Sequence, residues 1–185
     1  MANQFPPEEK ILKPPGSFFF LVVSYDLDET YFRIKEFAES QFSKSLYESV
    51  PMPKWMLPEW EKNLYQTGSS TRILSFERRI NREELPSHYK ECINISKKLR
   101  KKDPSLRLVP GYLSSQNVVI GSTIDDLHRI YLFHGIFAEI IYKYQKSQLV
   151  VSDTAPQFFH TRESIYFFTN LRESYEYFLK KHPSI

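Results

Sequence analysis

LRLVPGYLSSQNVVIGSTIDDLHRIYLFHGIFAEIIYKY, residues 106–144, holds three of the chain's five glycines and its clearest strand-forming runs. Pro110-Gly111 predicts a turn, because proline presets φ and glycine permits positive φ. Val118, Val119 and Ile120 form a short apolar run that ends at Gly121. Residues 127–133 and 136–144 are rich in β-branched and aromatic side chains and flank His134-Gly135, the pattern of a β-hairpin.

Hairpin register decides what the polar residues do. A two-residue turn sets Phe133 opposite Ile136 and Ile130 opposite Glu139. His128 and Glu139 then share a face as diagonal neighbours, an arrangement suited to acid–base work. A three-residue loop sets Leu132 opposite Ile136 and Arg129 opposite Glu139. That makes a cross-strand ion pair worth roughly 0.2–1 kcal/mol. One residue of slip exchanges the faces of a strand, so both readings stay open.

Working outward, residues 1–16 carry four prolines and few hydrophobes and predict a loose arm. Residues 17–185 read as a single domain. SFFFLVVSY (17–25) is a continuous apolar run fit for a strand buried on both faces. Asp28 is placed to cap a helix from Glu29 to about Phe42, with Tyr31, Ile34, Ala38 and Phe42 facing the sheet. Residues 46–50 predict a short strand. Pro51, Pro53 and Pro58 then punctuate an aromatic loop containing Trp55 and Trp60, suited to covering a pocket or meeting a protein partner.

RILSFERR (72–79) predicts a further strand, and residues 83–102 a helix with Pro86 in its first turn. Tyr89, Cys92, Ile93, Ser96 and Leu99 mark that helix's inner face. The basic run at its end complements the helix dipole. Residues 149–151 add an edge strand. Thr161 caps a last helix to about Lys181, whose Ile165, Phe168, Leu171, Tyr175 and Phe178 recur every three or four residues. The order strand–helix–strand–strand–helix–strand predicts a ferredoxin-like α+β core. Its mostly antiparallel sheet is extended by the hairpin and packed by the last helix.

Pro110-Gly111-Tyr112, His128-Arg129-Ile130-Tyr131-Leu132 and Gly135-Ile136-Phe137-Ala138-Glu139 resemble motifs of DUF4416, a prokaryotic domain of unknown function. Ser75-Phe76-Glu77 and Glu83-Glu84-Leu85 extend the resemblance upstream. The chain departs from the family pattern at Val109, at Gln116 and Asn117, at Glu59-Trp60, and across residues 154–158. His128, Arg129, Tyr131 and Glu139 keep to it. The resemblance implies a compact cytoplasmic bacterial domain and no established activity.

Composition narrows the chemistry. A net charge of +3 admits an anionic ligand without calling for nucleic acid. The strand at 72–79 lacks the Gly-aromatic signature of single-stranded RNA readers. Cys92, the single cysteine, precludes an internal disulfide and a thiolate metal site, and it lies on an apolar helix face. No apolar run approaches the ~18 residues of a membrane span. P-loop, GxGxxG and nucleophile-elbow motifs are absent, and no cofactor is called for.

The expected function is a binding module for a small anionic ligand or nucleotide near the 128–139 hairpin. Arg129 would hold the anion through two parallel bonds, with hydroxyl contacts from Tyr131 and Tyr112. Two alternatives stand beside it. One is a hydrolase or transferase with His128 as acid or base and Glu139 orienting it. The other is a protein-interaction domain using the Trp55/Trp60 loop. A flat strand cannot aim His128, Arg129 and Tyr131 at one ligand, so a common site needs one face or a bulge.

Overall fold

The computed structural model describes residues 13–54 and 65–181. Most of the N-terminal arm and the Trp55/Trp60 loop lie outside the described residues. Among those described, nine strands form one antiparallel sheet and three α-helices pack on it. In chain order these are β1 (Ser17–Tyr25), α1 (Asp28–Gln41), β2 (Ser45–Glu48), β3 (Met52–Pro53), β4 (Ser70–Ile80), α2 (Leu85–Leu99) and β5 (Arg107–Leu113). Then come β6 (Asn117–Ser122), β7 (Ile130–Phe133), β8 (Ile136–Gln145), β9 (Gln148–Val151) and α3 (Arg162–Lys181).

β1 is central, and all nine of its residues are buried. Its side chains alternate between two cores. Phe19, Leu21, Val23 and Tyr25 meet Tyr31, Ile34 and Ala38 of α1 and Cys92 of α2. On the opposite face Phe18, Phe20 and Val22 meet Phe168, Leu171 and Tyr175 of α3. The molecule therefore has three layers, with α1 and α2 on one side of the sheet and α3 on the other.

The sheet runs β2-β4-β1-β5-β6-β8-β7, with β3 on β4 and β9 on β8. Taken whole, this strand order differs from that of a ferredoxin-like unit. β6 folds back onto β5 and intervenes between it and β8. The reversal is made by Ser114, whose Oγ accepts from the N–H groups of Gln116 and Asn117 at 3.3 and 3.2 Å.

Two local expectations are corrected. Pro110-Gly111 is not a turn. Both residues lie inside β5, opposite Leu21 and Phe20 of β1. Pairing of β5 with β6 starts only at Gly111, so Pro110 sits where one strand edge is unpaired and a missing donor is tolerated. Gly111 is there for a close approach. A Cβ on it would lie 2.3 Å from Phe20 Cζ and 2.4 Å from the Val119 carbonyl oxygen. Asp28, the expected cap of α1, is the first helical residue, and Leu27 occupies the cap position. The entry to α1 is pinned from a distance instead, because the Asp103 carboxylate accepts from the N–H groups of Asp26 and Leu27 at 3.1 and 3.0 Å.

Other elements follow the sequence pattern. Thr161 Oγ1 accepts from the Ser164 N–H at 3.3 Å at the start of α3. On α2 the buried residues are Leu85, Pro86, Tyr89, Cys92 and Ser96, with Ile95 and Leu99 packed beside them. Ile93 instead lines a small hollow with Arg107 and Thr123. Burial raises the Cys92 thiol pKa, so this sulfur stays a thiol near neutral pH. Native protein should accordingly react with a thiol reagent many-fold more slowly than urea-unfolded protein, as followed by release of the reagent's chromophore. Equal rates would contradict this placement.

Candidate functional site

The β7–β8 turn has two residues, with Phe133 opposite Ile136. His134 and Gly135 take φ of 52° and 76°, the left-handed pair that a tight hairpin of this hand requires. A bulge follows between Tyr131 and Phe133, and the register then becomes Tyr131 with Phe137 and Ile130 with Ala138. Continuing that register places Arg129 opposite Glu139. The tip thus follows the two-residue reading and the base follows the other.

β7 begins at Ile130, later than expected, because residues 126–129 form a turn closed by the Arg129 N–H on the Asp126 carbonyl at 3.0 Å. Neighbouring side chains leave a turn in directions that a flat strand would forbid. Both His128 and Arg129 therefore reach the same carboxylate. Arg129 Nε donates to Glu139 Oε2 at 2.9 Å, and His128 Nε2 lies 3.1 Å from Glu139 Oε1. That second pair is near enough for an ion pair with a protonated imidazole, but its alignment does not make a hydrogen bond.

Glu139 is 1% exposed and the Arg129 side chain 7%, so this is a buried charge pair. The rest of the guanidinium is also committed. It donates to the Ile124 carbonyl at 3.2 Å and to the Tyr65 hydroxyl at 3.3 Å. Burial would lower the Arg129 pKa, but the Glu139 hydrogen bond and the nearby Tyr65 hold it above its ordinary value. Burial, aided by the Glu139 charge, pushes the Tyr65 hydroxyl up to about 12. Tyr65 is thus a neutral donor or acceptor at physiological pH.

His128 alone of these three borders a hollow of about 620 Å³. Val119, Ala138 and Ile140 form its apolar floor, with Ile130 and Leu132 on the hairpin side. Asn117 and Lys143, cross-strand neighbours on β6 and β8, line it together with Asp153. Tyr112 contributes from β5, its hydroxyl pKa raised by burial. Tyr131 does not face this space. It is exposed and packs edge-on against Phe137, with ring centroids 5.3 Å apart.

The five candidate residues thus divide. His128, Arg129 and Glu139 meet, Tyr112 joins His128 across the hollow, and Tyr131 stands outside. Asn117, Lys143, Asp153 and Tyr65 were not anticipated. The first two become neighbours only through β6–β8 pairing, and Tyr65 arrives from 64 positions away in the chain. Among the described residues no group of three His, Cys, Asp or Glu side chains is placed to hold a metal ion. Nor is any helix there long and apolar enough to cross a membrane. A larger hollow of about 810 Å³ between β2 and α3 is lined by none of the candidate residues.

No curated protein and no solved structure matches the chain. The family model described as a domain of unknown function, DUF4416, matches residues 14–175, a span that includes β1 through most of α3. The chain is therefore a member of the DUF4416 family.

Proposed function

We propose that this protein is a binding module for a small anionic ligand or nucleotide, seated in the hollow beside His128. The observation that carries the reading is the pairing of an apolar floor with convergent polar groups, the usual make-up of a ligand pocket. Lys143, which makes no ion pair among the described residues, would meet the anionic group with help from the Asn117 amide. Val119, Ile140 and the Tyr112 ring would take the less polar part. Arg129 serves this site as a support, fixing the carboxylate behind His128. We assign the protein to the cytoplasm as part of the same proposal.

A hydrolase or transferase is the second reading, favoured by the 3.1 Å approach of Glu139 to His128. A ferredoxin-like arrangement of the β1–β5 section is likewise a proposal. Its support is the local order β2-β4-β1-β5 with α1 and α2 on one face.

The test is a thermal-shift screen with nucleotides and acidic metabolites, repeated on Lys143→Ala and His128→Asn. A ligand at a hundred times its Kd should stabilise wild type by about 2.7 kcal/mol. Lys143→Ala should lose most of that shift. Stabilisation without turnover supports the module, and turnover abolished in His128→Asn supports the enzyme. If no compound shifts wild type, the hollow is not a site for this ligand class.

A further inference from the structure

β7 closes one edge of the sheet, and each of its four residues is exposed. Ile130 is 63% exposed, Tyr131 59%, Leu132 37% and Phe133 58%. Leu127 just before it is fully exposed, and Ile124 is 40% exposed. An ordinary edge strand turns one apolar face inward and carries charge or proline on the other. β7 has neither lysine nor proline and is apolar on both faces, the pattern of a strand with neighbours above and below.

We propose that the β7 edge is a self-association surface, occupied by the β7 edge of a second copy of this chain in a two-fold dimer. Taking ~200 Å² for a fully exposed aromatic side chain as the ceiling for each of the six, their exposed fractions offer at most about 700 Å² per copy. A standard interface buries ~800 Å² per partner, and the largest apolar patch on a typical monomer is ~300–600 Å². The strand itself carries no charge, so a copy meets no like-charge repulsion along it. β7 is short and bulged at Leu132, so side chains rather than a long backbone ladder carry the contact.

The pairing bears on the hollow beside His128. Ile130 and Leu132 line that hollow, so a second copy against β7 adds a wall to its hairpin side. The dimer itself does not depend on what the hollow binds.

Sedimentation velocity of the full chain over a wide concentration range tests the proposal. Wild type should sediment as a dimer, and Tyr131→Lys/Phe133→Lys as a monomer with an unchanged circular dichroism spectrum. Both replaced side chains are exposed, so folding should survive. Tyr166→Lys/Tyr177→Lys, on the exposed face of α3, should leave the dimer intact. A monomeric wild type would overturn the proposal. So would a dimer dissolved by the α3 substitutions and not by those in β7.

Discussion

Replacing Glu139 with alanine should cost about 3–5 kcal/mol, the range for breaking a buried ion pair by removing one partner. The substitution leaves the Arg129 guanidinium, whose side chain is 7% exposed in the native protein, without its ion-pair partner, and its remaining hydrogen bonds go to the Ile124 carbonyl and the Tyr65 hydroxyl. For a chain of this size ~1 kcal/mol moves Tm by about 2–4 °C, so a fall of roughly 6–20 °C is expected. Glu139→Gln keeps the shape and an acceptor for Arg129 Nε and should cost less. Replacing both partners together, Arg129→Met with Glu139→Leu, should recover much of the loss, because an apolar pair leaves no charge stranded. Scanning calorimetry on the three variants decides it. If Glu139→Ala melts within a degree or two of wild type, the pair is not the anchor of the hairpin base.

Gly111 and Gly135 should respond to the same substitution to very different degrees. At Gly111 an added Cβ meets Phe20 Cζ at 2.3 Å and the Val119 carbonyl oxygen at 2.4 Å. Phe20 cannot give way, since it is fully buried edge-on against Phe168, with centroids 4.9 Å apart. The Val119 oxygen belongs to the neighbouring strand. Gly111→Asn should therefore cost roughly 3 kcal/mol or more, at or beyond the upper end for overpacking a core. At Gly135 nothing lies within 4 Å of the added Cβ, and the constraint is φ of 76°. Asparagine adopts that region readily, so Gly135→Asn should be mild. Urea midpoints at unchanged m-value measure the contrast. Equal losses at the two positions would show that Gly111 is not pressed against β1 and β6.

The same two glycines show why local reading succeeded at one place and failed at the other. His134-Gly135 sits between two strand-forming runs, and the turn it makes depends on the φ preferences of those residues alone. Pro110-Gly111 carries as strong a turn signal, yet it is extended. What holds it so is Phe20, more than ninety residues earlier, and Val119, on a strand that pairs only after the chain has reversed. The site divides in the same way. His128, Arg129 and Glu139 were visible as polar residues in an apolar hairpin. That both side chains would meet one carboxylate depends on the turn closed by Asp126 and on the bulge at Leu132, which places the two candidate registers in one hairpin.

The amino-acid order by itself determined the elements whose residues carry their own periodicity. β1 is one, a run too apolar to lie anywhere but between two layers, and the helical repeats that face α1 and α3 inward are others. Tertiary structure alone decided the order of strands across the sheet, the inward turn of Arg129 and the meeting of Lys143, Asn117 and Tyr112 around His128. The physical reason is range. Propensity and hydrophobic period act over a few residues, whereas strand neighbours and buried charges are selected by packing and desolvation between segments far apart in the chain.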